Sequence, residues 1–181
     1  MLVDLFSNNY FEIFNAPLSY DINLKKVGDI YLELQKKVHP DRYANASDQE
    51  KRIAMQQTSL INQAFQTLKD PVSRAQYMLK LNGVDMDSET DTTMDAEFLM
   101  GQMEFRESIM DARDKNDPLA ELDSMNADLK QKMSDLMKKF TESFADASYE
   151  AAREIVRKMQ FIIKAKKEVN ELSEKLEDEL M

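Results

Sequence analysis

The chain carries a single histidine, His39, in the run His39-Pro40-Asp41. A lone imidazole can act as a general base, but the sequence suggests neither a nearby nucleophile nor an acid to orient it. Cysteine is absent, which removes disulfides, thiol nucleophiles and thiolate metal sites. With one histidine, a His-rich zinc site is disfavoured as well. Carboxylates abound, yet no Glu-x-x-His pair is present to build a di-iron site of the helical-bundle kind. Gly28, Gly83 and Gly101 are isolated, so no Gly-rich phosphate loop exists. The residues argue for recognition rather than catalysis, with no cofactor and no resident metal.

Charge narrows the partners. The net charge of −10 repels phosphate backbones and argues against nucleic acid. Lys25, Lys26, Lys36 and Lys37 form a local basic exception. No apolar run is long enough to cross a bilayer, and Met1-Leu2-Val3-Asp4 lacks the features of a signal peptide. A cytoplasmic protein that binds other proteins is the expectation.

The elements that position these residues read as helices throughout. Only three glycines and four prolines interrupt a chain rich in Met, Leu, Ala, Glu, Lys and Gln, the strong helix formers. Residues 8–14 form a short aromatic helix ended by Pro17. A second helix, capped by Asp21, buries Leu24, Val27, Tyr31, Leu34 and Val38 at 3–4 spacing. It stops at His39 because the residue before a proline avoids helical geometry. After a polar loop, Ser47 and Glu50 make a capping box for a helix carrying Ile53, Ala54, Leu60, Ile61, Ala64, Phe65 and Leu68. Asp70-Pro71 breaks it, and Val72 to Leu81 forms a shorter helix stopped by Asn82-Gly83.

Residues 83–93 are poor in apolar side chains and read as a linker. Three helical blocks follow, about 94–115, 118–144 and 149–180. Asn116-Asp117-Pro118 and Asp146-Ala147-Ser148 are the turns between them. Short turns between long helices force antiparallel neighbours. The architecture is therefore all-α: a helical hairpin unit over 1–82 and an antiparallel three-helix bundle over 94–181.

On its own, His39-Pro40-Asp41 is also what a terminated helix and a following turn would produce. Its setting is specific: it lies between two antiparallel amphipathic helices. Tyr10-Phe11-Glu12-Ile13-Phe14 precedes them, and Ile61-Asn62-Gln63-Ala64-Phe65 and Lys69-Asp70-Pro71 follow. This ordered series resembles the J domain. The resemblance implies a module that binds a DnaK-type chaperone and stimulates its ATP hydrolysis. Pro40 would stiffen the loop. Asp41 would present a carboxylate to a cationic group on the chaperone, His39 would offer ring donors beside the helix end, and Lys36 and Lys37 would steer the encounter. Lys36 and Lys37 are equally readable as an ordinary solvated face. Val38 stands where many J domains have an aromatic, and Leu32-Glu33 where many have basic residues, which suggests a specialised chaperone.

In the second half, Phe98, Gly101, Phe105, Ile109 and Ala112 share one stripe with Met94 on a wheel of about 100° per residue. Leu99, Met100, Met103 and Met110 fall on another side, with Glu104, Glu107 and Asp111 around them. In the last helix, Ala152, Ile155, Val156, Met159, Ile162 and Ile163 form a stripe, and Phe161 lies opposite it. A second apolar stripe rimmed by acids suits a protein-binding surface. A broader bundle core, with methionines as gap-fillers, is the alternative.

The segments Phe98-Leu99-Met100-Gly101-Gln102-Met103-Glu104-Phe105 and Val156-Arg157-Lys158-Met159-Gln160-Phe161 resemble the C-terminal domain of HscB-type co-chaperones of iron–sulfur cluster biogenesis. That resemblance implies a dedicated HscA-type ATPase as one partner and an IscU-type cluster scaffold as the other. Leu99, Met100, Met103, Glu104, Glu107, Asp111 and Phe161 are its candidate scaffold contacts. Without cysteine, the chain would not hold the cluster through its own thiolates. Eukaryotic relatives often carry an N-terminal cysteine-rich segment, so a bacterial-type protein is expected. A J-domain protein whose bundle recruits a different client remains the alternative.

Overall fold

The computed structural model describes residues 5–43, 46–86 and 96–180. These divide into two compact units, Met1–Asn82 and Gly83–Met181. The first holds α1 (Tyr10–Ile13), α2 (Leu24–Val38), a 3-10 turn (Pro40–Tyr43), α3 (Asp48–Lys69) and α4 (Pro71–Leu81). The second holds α5 (Ala96–Ala112), α6 (Pro118–Ala145) and α7 (Tyr149–Leu180).

Helix starts in the first unit are set by side-chain caps. Asn9 accepts the Glu12 N–H at 3.1 Å while the Glu12 carboxylate accepts the Asn9 N–H at 2.8 Å. Ser47 and Glu50 form the expected capping box. The Ser47 hydroxyl accepts the Glu50 N–H at 3.3 Å, and the Glu50 carboxylate accepts the Ser47 N–H at 2.9 Å. Hydrogen bonds from the Ser47 side chain and backbone hold the Glu50 carboxyl below the ordinary value of 4.5. The cap of α2 differs from expectation: it is Asn23, which accepts the Lys26 N–H at 3.1 Å, rather than Asp21. Pro71 is the first residue of α4, where its missing N–H needs no partner.

α3 is the spine of this unit, with α1, α2 and α4 against it. Val27, Leu34 and Val38 of α2 and Ala54, Ile61, Ala64 and Leu68 of α3 are buried together with Phe11 and Phe14. Tyr31 stacks on Phe65 at 4.0 Å between ring centroids, and its hydroxyl donates to Asn62 Oδ1 at 3.1 Å. Leu24, expected in the buried stripe, is exposed in the first turn of α2.

In the second unit α6 and α7 pair along their length, and α5 lies against both. The turn between α6 and α7 places Ala147 at φ 53°. A residue in this left-handed conformation stops one helix and reverses the chain. Leu122, Leu129, Ile162, Ala165 and Val169 are buried at the centre, joined by Ile109 and Ala112 of α5. α5 has 17 residues and α7 has 32. At a rise of about 1.5 Å per residue, α5 spans only about half of α7.

Ile163 departs from its expected stripe and is exposed. Lying about 100° around the helix from buried Ile162, it has turned past the side that α5 and α6 cover. Of the expected linker, residues 87–93 lie outside the described residues, as does Met94.

Candidate functional site

The loop tip is pinned to the end of α2. A helix that stops at a proline leaves its last carbonyls without intrahelical donors. Here two side chains meet them. Arg42 Nη1 donates to the Lys36 carbonyl at 3.2 Å and Tyr43 Oη to that of Lys37 at 3.4 Å. The Thr58 hydroxyl, which donates to the Ala54 carbonyl at 2.8 Å, lies 3.4 Å from the Val38 carbonyl. The Arg42 N–H closes the turn onto the His39 carbonyl at 3.0 Å. Pro40 begins the 3-10 turn, where its fixed φ fits.

On this fixed base the side chain of Asp41 is 90% exposed and that of His39 57%. His39 Nδ1 accepts the Asp41 N–H at 3.3 Å and lies 3.6 Å from Asp41 Oδ2. With Nδ1 accepting from the Asp41 backbone, Nε2 is the ring nitrogen left to donate outward. Lys36 and Lys37 are exposed one turn earlier. Arg42, Tyr43 and Thr58 are not among the residues that the sequence singles out. The signal available for the first two was six-residue spacing back to Lys36 and Lys37, which returns a loop side chain to the helix end.

The outer side of α5 carries Leu99, Met100, Met103 and Met110, all exposed; Met103 is 65% and Met110 69% accessible. Glu104, Glu107 and Asp111 are exposed beside them. Phe161 does not share that face. It is half-buried, with its ring edge-on to Phe98 at 5.7 Å and to Phe105 at 6.1 Å. Aromatics on the inward side of α5 reach across to α7 and enclose it, so the bundle core is wider at this end than the helical wheel implied. Six of the seven candidates on the bundle thus lie together, and Phe161 lies behind them.

Among the described residues, no group of three or more His, Asp or Glu side chains is arranged to hold a metal ion. No described helix is long and apolar enough to cross a membrane.

Residues 9–77 match the DnaJ domain family. The helical hairpin with its projecting His39-Pro40-Asp41 tip is a J domain, and the chain is a J-domain protein. Residues 94–179 match the family described as the HSCB C-terminal oligomerisation domain. A co-chaperone protein HscB homolog of Shewanella amazonensis is 42% identical over 176 residues, covering 96% of this chain and 99% of that one. The structure of chaperone HscB from Vibrio cholerae matches with TM-score 0.83 at 35% identity, covering 96% of this chain and 100% of that one. The human co-chaperone HscB matches with TM-score 0.84 at 28% identity, covering 94% of this chain and 84% of that one. The chain belongs to the HscB family of J-domain co-chaperones.

Proposed function

We propose that this protein stimulates ATP hydrolysis by a dedicated DnaK-type chaperone of the HscA type and delivers an IscU-type iron–sulfur cluster scaffold to it. The observation that carries this reading is the Asp41 carboxylate, 90% exposed on a loop tied to the end of α2. An ionised acceptor held on a stiff loop forms strong charge-assisted hydrogen bonds with a cationic partner and loses little entropy in doing so. His39, Pro40 and Asp41 make the contact, and Lys36 and Lys37 accelerate the encounter with an acidic surface.

The outer side of α5 holds the scaffold. Leu99, Met100 and Met103 supply the apolar centre, and Glu104, Glu107 and Asp111 the rim, an arrangement suited to an apolar patch edged by basic residues. Phe161 acts from behind, keeping Phe98 and Phe105, and with them α5, in position. Carrying both partners on one chain raises the effective concentration of scaffold at the chaperone. A steady-state ATPase assay of the chaperone, with this protein and scaffold added separately and together, tests the proposal. Stimulation by each alone and more than the sum of both together is the expected result; additive rates would sink the delivery reading.

A second reading keeps the chaperone and changes the client. Three exposed methionines on one face favour it, because methionine surfaces re-pack around unlike partners. Displacement of bound scaffold by another client would establish it.

A further inference from the structure

The second unit has a cleft of about 490 Å³ between the start of α5, the middle of α6 and α7. Its apolar wall includes Phe98, Leu136, Phe161 and Ile162. Three cations stand around it: Lys132 and Lys139 of α6 and Lys158 of α7, whose ammonium is 5.7 Å from the centroid of Phe98. Two carboxylates, Glu97 and Asp135, also line it. In a chain of net charge −10, a cleft with more cations than acids is a local reversal. Ion pairs elsewhere in the unit join Arg106 to Glu168, Arg113 to Glu179, Arg157 to Glu154 and Lys167 to Glu171. Among the described residues they leave the three cleft lysines out. The acid-rimmed outer side of α5 has the opposite polarity, so one patch of partner surface does not suit both.

We propose that this cleft binds an acidic peptide segment of a partner protein, with carboxylates on Lys132, Lys139 and Lys158 and an apolar side chain against Phe98 and Phe161. The inference goes beyond the scaffold reading and does not depend on it. Lys132 and Lys139 are two helical turns apart, about 10 Å along α6. An extended peptide places side chains four residues apart on one side at about 13 Å, with a third midway between them. The long lysine stems take up the difference. A pattern of acid, any residue, apolar residue, any residue, acid therefore sets two carboxylates astride the aromatic wall, which a small single anion cannot do.

The probe is a fluorescein-labelled pentapeptide with glutamate at both ends, leucine at the centre and serine between, titrated against the full chain by anisotropy. Saturable binding that weakens with added salt is expected. Lys132→Gln with Lys139→Gln should weaken it about tenfold, with an unchanged thermal melt because both side chains are exposed. A counterpart peptide with lysine in place of glutamate should bind far more weakly. Leu99→Ala with Met103→Ala, on the outer side of α5, should leave the peptide affinity unchanged whether or not that side holds the scaffold. Equal binding of the lysine peptide, equal binding by the double glutamine variant, or no saturation up to about 1 mM peptide would each overturn the proposal.

Discussion

The imidazole Nδ1 of His39 accepts a hydrogen bond from the backbone N–H of Asp41 at 3.3 Å. The two outer residues of the loop motif are thus locked to each other before any partner arrives. The ring fixes the backbone that carries the carboxylate, and the carboxylate itself points outward. In the proposed contact the histidine would position the carboxylate by this bond.

Asp41→Asn keeps the shape of the tip and removes its charge; His39→Gln removes the ring acceptor. Either change should reduce stimulation of the chaperone ATPase at least about tenfold, the scale of one lost charge-assisted contact. Thermal melts should match the parent protein, because both side chains are exposed. A full ATPase response from Asp41→Asn would refute the role given to the loop.

Leu99→Ala with Met103→Ala removes the centre of the outer apolar side of α5. Scaffold affinity should fall about ten- to hundredfold, as for two central interface residues. ATPase stimulation by this protein alone should persist. Titration of labelled scaffold decides the first point, and unchanged affinity would move the contact surface elsewhere.

Phe161→Ala behaves differently because the ring supports α5 from behind. A half-buried aromatic removed from between Phe98 and Phe105 should destabilise the second unit by about 2 kcal/mol, below the value for a fully buried one. Phe161→Leu should recover most of that stability. Chemical denaturation measures both; an Ala variant as stable as the parent would show the ring to be idle in the fold.

Tyr20 gives a pH dependence with a definite sign. Burial raises its phenol from the ordinary 10.0 to about 12, partly offset by the Arg74 guanidinium, which lies 4.8 Å from the ring centroid. The folded chain therefore keeps a proton that the unfolded chain has lost between pH 10 and 12. The resulting stability is complete below pH 10 and fades as pH rises through 12. Tyr20→Phe cannot titrate, so its melting temperature should fall less steeply across that window. Parallel alkaline slopes for the two proteins would contradict the burial argument.

Much of the fold was legible because it follows periodicity and caps. Ser47 and Glu50 announce α3, Asp70-Pro71 separates α3 from α4, the turns at 116–118 and 146–148 bound α6, and α7 shows an apolar stripe. What failed depended on partners distant in sequence. Asp21 and Asn23 are equally good caps by residue type, and the selection falls to the one within reach of the Lys26 N–H. Ile163 and Phe161 were placed on a wheel that contains one helix, whereas their surroundings are supplied by α5 and α6. Arg42 and Tyr43 escaped notice because they serve backbone carbonyls, which leave no mark on the pattern of side chains.

The brevity of α5 bears on how the bundle breathes. Only Ile109 and Ala112 of this helix are buried, while α6 and α7 bury one another over a longer span. Segments with few enclosed side chains open locally ahead of global unfolding. Amide hydrogens of residues 96–112 should accordingly exchange with deuterium sooner than those in the central turns of α6 and α7. A client clasped to that helix would slow the exchange, turning the loosest strut of the bundle into its most sensitive reporter of cargo.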